Sequence, residues 1–242
     1  MVNGYIGFNP VAGSIIDAID DPKRECLSEI QRNILLEALQ GHKGYLFICT
    51  LIYTGMRRGE ALALTWNDVD LDAGMIKVTK AIEFDGSTPR IKAPKTKRGY
   101  RTIPIPLELT VLLKAAKKTS KSLYIFPKCG KDGIYTKTLI DNLWRKISGA
   151  IKRYFKEHEN LKDYQFSLTY RMLRHTYATG LFDAGVDELS AAEIMGHDVK
   201  IMRGIYTHIQ EGRRIRTIAK INNLYKPTPS EKDNIEQHQE EK

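Results

Sequence analysis

The hydrophobic period of this chain changes twice along its length, and that change limits the possible folds more than any single residue does. Between Gly74 and Pro106 apolar residues recur at every second position, in MIKVTKAIEF, PRIKAPK and RTIPIP. The turn formers Asp85-Gly86 and Lys97-Arg98-Gly99 separate these runs, as expected for short antiparallel strands. On both sides the spacing is three or four, which puts apolar side chains on one face of a helix. SEIQRNILLEAL opens with Ser28 and Gln31 in capping-box spacing, and Gly44–Tyr53 is so uniformly apolar that it predicts a buried helix. Helical patterns resume with PLELTVLLKAAKK, TKTLIDNLWRKISGAIKRYFK, RMLRHTYATGLFDA, ELSAAEIM, VKIMRGIYTH and RRIRTIAKINNLY. The fold class expected is α+β, mainly α: a helical bundle with one small antiparallel sheet.

The organisation follows from composition along the chain. Residues 1–26 are irregular and read as a linker or the remnant of a preceding domain, and 27–210 form the main domain. Residues 211–226 carry the apolar stripe Ile215, Ile218, Ile221 and Leu224, with too little chain to make a core alone. Residues 227–242 are acidic and poor in apolar side chains, so they predict a disordered tail.

Net charge is +9 over 242 residues, and the tail's share is −3, which leaves +12 on the remainder. A body this basic favours a polyanionic partner. Cys26, Cys49 and Cys129 are odd in number and lack CxxC or Cys/His spacing, so neither a disulfide framework nor a zinc site is indicated, and a reducing cytoplasm fits. The longest apolar run, YLFICTLIYTG, is too short to span a bilayer as a helix, so no membrane association is expected.

Several residues stand where simple physics needs a reason for them. Arg57 and Arg58 precede the helix through EALAL, and Arg171 and Arg174 lie in the opening turns of another. A helix N-terminus carries about half a positive charge, so cations there are disfavoured unless an anion is present. Taken singly, each arginine has an ordinary explanation as a surface or ion-pair residue, with Glu60 a ready partner for Arg57. Arg90, Lys92, Lys95, Lys97, Arg98 and Arg101 crowd the predicted hairpin, either guarding a sheet edge or reaching for phosphates. His197 follows the helix-ending Gly196 and precedes Asp198, a cap for the next helix. On that helix Ile201, Met202, Ile205 and Ile209 make the expected buried stripe and leave Tyr206 at its margin.

The order of these blocks narrows the reading. TGMRRGEALALTW, KTKRGYRTIPI, LRHTYATGLFDAG and IMGHDVKIMRGIYTH occur in one fixed sequence, and over about residues 27–210 the chain resembles the tyrosine recombinase, or phage integrase, family. The resemblance implies site-specific DNA recombination, with Tyr206 attacking a phosphodiester to leave a 3′-phosphotyrosyl link. It makes Arg57 and Arg174 the grip on the scissile phosphate, Glu60 the residue holding Arg57, and His197 the histidine of the Gly-His block. Lys95, or Lys97 in a hairpin of variable length, protonates the leaving 5′ oxygen. Arg171 occupies the place of the family's usual histidine and cannot act as a base near neutral pH. His175 falls outside the catalytic set.

Further expectations attach to this reading. Backbone contacts to double-stranded DNA are expected from Arg90, Lys92, Lys97, Arg98, Arg101, Lys152 and Arg153, with Lys117 and Lys118 as further candidates. The arginine and lysine set takes the place of metal ions, so no metal or other cofactor is expected. The partners implied are double-stranded DNA and further copies of the chain, as a dimer or tetramer on DNA, with residues 211–226 exchanged between protomers. Two alternatives remain: a catalytically impaired DNA-binding regulator with the same fold, and a type IB topoisomerase that relaxes DNA.

Overall fold

The computed structural model describes residues 26–128 and 133–224, so the expectations for residues 1–25, for Cys129 and for the acidic tail lie outside the described residues. The chain enters helix α1 (Glu29–Ala38) through a complete capping box, with Ser28 accepting from the Gln31 amide and Gln31 reaching back to the Ser28 amide. Helix α2 (Tyr45–Thr54) is buried almost throughout, as its lack of a polar face requires, and stops at Gly55, whose φ of 60° is left-handed. Three residues after Gly55 the five-residue helix α3 (Arg58–Leu62) begins.

The strand-period segment forms two sheets rather than one. Strands β1 (Val69–Asp70), β2 (Met75–Val78) and β5 (Arg101–Pro104) make an antiparallel sheet in the order β1-β2-β5, and β3 (Ala81–Asp85) pairs with β4 (Thr88–Lys92) in a separate hairpin. The expected continuous run MIKVTKAIEF breaks at Thr79 and Lys80. Both side chains turn to Asp68, the Lys80 ammonium at 2.5 Å and the Thr79 hydroxyl at 3.3 Å, which takes the chain out of the first sheet. Ile76, Val78 and Ile103 fill the inner face of that sheet, while β4 is almost wholly exposed.

Five further helices complete the domain: α4 (Leu107–Thr119), α5 (Lys137–Glu157), α6 (Tyr170–Asp183), α7 (Glu188–Met195) and α8 (Val199–Leu224). The main core gathers Leu35, Leu39, Phe47, Ile48, Leu62, Ile103, Leu109, Ile140 and Leu173 from α1 to α6 and the sheet. A second, smaller cluster lies among α6, α7 and α8 and contains Ala178, Ala191, Ala192, Met195, Met202, Ile205 and Tyr206. Helix α8 is unbroken, so the two helical patterns expected on either side of residue 210 are one element. Gly212 is tolerated in its interior at a cost of about 1 kcal/mol against alanine. No helix among the described residues is long and apolar enough to cross a membrane.

Candidate active site

Three chain segments that are distant in sequence meet beside Gly55. Helix α6 starts at Thr169, whose hydroxyl accepts from the Met172 amide, and this places Arg171 in the first turn and Arg174 in the second. The Arg174 guanidinium donates to the Gly55 carbonyl, to the Met195 carbonyl at 2.5 Å, and lies 2.9 Å from His197 Nε2. Gly55 has to be glycine here, because a Cβ would come within 2.4 Å of the Tyr177 ring and its φ is positive. Among the described residues no carboxylate forms an ion pair with Arg174. Burial and then the neighbouring Arg57 push its pKa down to about 9, so its charge is held at a cost that an anion would offset.

Arg57 stands at the entrance to α3. Its backbone amide donates to Glu60 Oε2 at 2.8 Å and its guanidinium to Glu60 Oε1 at 2.9 Å. The guanidinium also reaches the Gly196 carbonyl at 3.4 Å. Glu60 is buried and takes a second arginine from β5, with Arg101 Nη1 at 3.1 Å and Nη2 at 2.8 Å. Burial alone would raise the Glu60 pKa, but the hydrogen bonds and charge of Arg101, followed by those of Arg57, hold it at about 2.

His197 lies in the connection between α7 and α8. Gly196 ends α7 with a φ of 61°, and Asp198 accepts from the Lys200 amide at 2.9 Å to start α8. Burial, then the positive field of Arg174, Arg57 and Arg101, lowers the ring pKa to about 4. The ring is therefore neutral at pH 7, and its Nε2 is placed to accept from Arg174. Arg171, Arg174, His175, Met195, His197, Ile201 and Ile205 line a cleft of about 300 Å³ at this junction. Arg171 is exposed at its rim.

Tyr206 is not in the lining of that cleft. It was expected at the margin of a buried stripe, but only 5% of it is exposed, whereas Ile201 is 51% exposed. Its hydroxyl donates to the Val186 carbonyl at 3.1 Å, and its ring meets Phe182 edge-on with centroids 5.0 Å apart. Burial and the carboxylates of Asp187 and Glu188 raise its pKa. The reason for the difference is the second core cluster: α6 and α7 present Ala178 and Ala192, and the small side chains leave room for a phenol ring.

The hairpin cations are mostly engaged with the protein. Arg90 pairs with Asp85, Lys92 and Lys95 with Glu83, and Arg98 with Asp198, the last at 2.5 Å. Lys97 has no ion pair among the described residues and is exposed. The Lys95 side chain is 81% exposed, and neither lysine lines the cleft. Arg101 is a correction. Its side chain is only 4% exposed and every donor it uses is taken by Glu60, by the Ile194 carbonyl at 2.8 Å or by the Gly99 carbonyl, so it has no face for DNA. Lys152 and Arg153 are exposed on α5, and Lys117 and Lys118 on the last turn of α4. No group of three His, Cys, Asp or Glu able to hold a metal ion is found among the described residues.

The pattern described as the phage integrase family matches residues 25–213. The chain belongs to the phage integrase family. Among its curated relatives within tyrosine-recombinase integrases, it is 29% identical over 245 residues to a protein named tyrosine recombinase XerC-like from Caldanaerobacter subterraneus subsp. tengcongensis. That match covers 92% of this chain and 61% of the relative. The ICEBs1 integrase of Bacillus subtilis is 28% identical over 188 residues, covering 74% and 48% respectively. The chain thus spans about half to two thirds of the length of these relatives. Among solved structures, the integrase of transposon Tn1549 in complex with circular intermediate DNA superposes with a TM-score of 0.66 at 26% identity, over 77% of this chain and 64% of the other. The chain is mostly helical with small antiparallel sheets, so the fold class expected from the hydrophobic period is the one found.

Proposed function

We propose that this chain carries the catalytic part of a site-specific recombinase that cuts and rejoins double-stranded DNA through Tyr206. The observation that carries the reading is Arg174, a part-buried cation with no carboxylate ion pair among the described residues, set against the neutral His197 and held near the Arg57–Glu60 pair. A phosphodiester supplies the missing anion, and two guanidiniums can meet its non-bridging oxygens with planar paired hydrogen bonds.

In this reading Arg57 and Arg174 neutralise the phosphate and stabilise the charge that builds up as it becomes five-coordinate. Arg171 adds charge at the rim. It cannot accept a proton, so His197, neutral at pH 7, takes the Tyr206 phenol proton at Nε2 once Arg174 has turned from that nitrogen to the phosphate. The phenol oxygen bonds to phosphorus, the bond to the 5′ oxygen breaks, and the leaving oxygen takes a proton from Lys95 or Lys97 as the hairpin folds toward DNA. The 3′-phosphotyrosyl link keeps the energy of the broken ester, so a 5′-hydroxyl from another strand can reverse the attack without ATP.

The described conformation is a resting one. Tyr206 has to leave Val186 and Phe182 before it can reach phosphate, which requires the first turns of α8 to shift against α7. The stripe Ile215, Ile218 and Ile221 on the far half of α8 is about half to two-thirds exposed and fits a second copy of the chain, so assembly on DNA and release of Tyr206 are coupled through one helix. Lys97, Lys152 and Arg153 contact DNA backbone.

A pool of nicked duplexes with randomised sequence around the nick tests the reading. The expected result is a detergent-resistant protein–DNA adduct that disappears, with rejoined product, when a strand bearing a free 5′-hydroxyl is added. Retention of duplex without adduct would favour the DNA-binding regulator. Relaxation of supercoiled plasmid without strand exchange would favour the topoisomerase.

A further inference from the structure

Arg101 joins three parts of the site that the chain delivers separately. Its planar fork takes both oxygens of Glu60, which in turn holds the backbone amide and guanidinium of Arg57. Its Nε donates to the Ile194 carbonyl in the last turn of α7 at 2.8 Å. Its Cδ and Nη1 lie where a Cβ on Gly196 would come to 3.0 and 3.1 Å, so the residue before His197 is glycine against the Arg101 stem. The residue itself begins β5, the strand by which the hairpin returns to the sheet, and pairs with Val78 of β2.

We propose that Arg101 is a positioning residue for the phosphate grip: it fixes Glu60 against the end of α7, and so sets where Arg57 and His197 stand relative to each other. This rests on the phosphate-binding reading of the cleft. A lysine cannot do the same work, because a point charge holds one carboxylate oxygen and has no third donor in the plane for Ile194. The arrangement also ties the site to the hairpin: displacing β5 pulls on Glu60 and the α7–α8 turn together, and Arg98, three residues earlier, is paired with Asp198 in that same turn.

The test compares wild type with Arg101→Lys, Arg101→Met and the double variant Arg101→Met/Glu60→Gln, using nicked duplex and, separately, inorganic phosphate as probes. Arg101→Lys is expected to keep duplex affinity and its salt dependence within about threefold of wild type, and to lower the rate of adduct formation at saturating DNA by about tenfold or more. Its rate should also fall between pH 7 and 5, where wild type is expected to stay flat, because Glu60 loses the fork that keeps it ionised. Arg101→Met is expected to unfold more readily than the double variant, since it leaves the buried Glu60 carboxylate with only the half-exposed Arg57 to offset its charge. In the folded variants the His197 ring resonances, followed by NMR, should respond to inorganic phosphate more weakly than in wild type.

Loss of duplex affinity with a salt slope shallower by about one, and an unchanged rate at saturation, would overturn the proposal and make Arg101 a phosphate contact. Wild-type rate and pH profile in Arg101→Lys would overturn it equally. If wild type itself forms no adduct, the recombinase reading fails, while the phosphate titration of His197 still decides the role of Arg101.

Discussion

The Tyr206 hydroxyl donates to the Val186 carbonyl, 3.1 Å away, while the cleft beside the Arg174–His197 contact is lined without Tyr206. The hydroxyl is therefore satisfied where it rests, and the carboxylates of Asp187 and Glu188 make its ionisation there harder. Attack on phosphate needs this bond to be exchanged for one in the cleft.

Weakening the resting position should speed the first step. Phe182→Ala removes the edge-on ring partner of Tyr206 and is expected to lower stability by about 1–3 kcal/mol, the ring being only half-buried. The same variant should form adduct several-fold faster at saturating DNA. Thermal melting and single-turnover adduct assays read the two effects, and a variant that is less stable but no faster would show that release of Tyr206 does not limit cleavage.

His197 makes stability depend on pH in a defined direction. Its folded pKa, about 4, lies below its ordinary 6.5, so the unfolded chain binds the proton more readily between those values. Stability is fully present above pH 6.5 and is lost as pH falls toward 4, by on the order of 1–2 kcal/mol after allowance for partial exposure. Urea midpoints measured from pH 7 to 4 should fall less steeply in His197→Asn than in wild type. Parallel curves would contradict the assignment.

The sequence made the helices and the cleft residues legible, but not their mutual state. Ser28 and Gln31, the apolar α2 and the ordered blocks around Arg57, Arg174 and His197 are local signals, and each lies where its pattern placed it. Tyr206 was not legible, because which face of α8 is buried depends on the alanines that α6 and α7 offer, and a period of 3.6 cannot choose between Ile201 and Tyr206. Arg101 sits in a run of hairpin cations, and its partner Glu60 lies 41 residues away, so nothing local separates it from Arg98. The one available signal was the strand alternation, which turns Arg101 and Ile103 to the same face of β5, with Ile103 buried.

The two central arginines should differ in what their loss does. Arg57→Ala removes a half-exposed side chain and is expected to cut adduct formation by about 100- to 1,000-fold with a small change in melting temperature. Arg174→Ala should cut the rate as strongly and also destabilise, because the Gly55 and Met195 carbonyls lose their donor. Equal melting temperatures for the two variants would contradict this difference.

Backbone contacts should be visible in salt dependence. Replacing both Lys152 and Arg153 by alanine is expected to make the slope of log affinity against log salt shallower by about two, without changing the adduct rate at saturation. An unchanged slope would place DNA on another face of the domain.

The most direct test of the account is the site of covalent attachment. Wild type and Tyr206→Phe are incubated with nicked duplex, the adduct is digested, and the peptide bearing the nucleotide is identified by mass spectrometry. The account predicts a 3′-phosphate on Tyr206 in wild type and no adduct in Tyr206→Phe. A nucleotide on any other residue, or an adduct that persists in Tyr206→Phe, would contradict it.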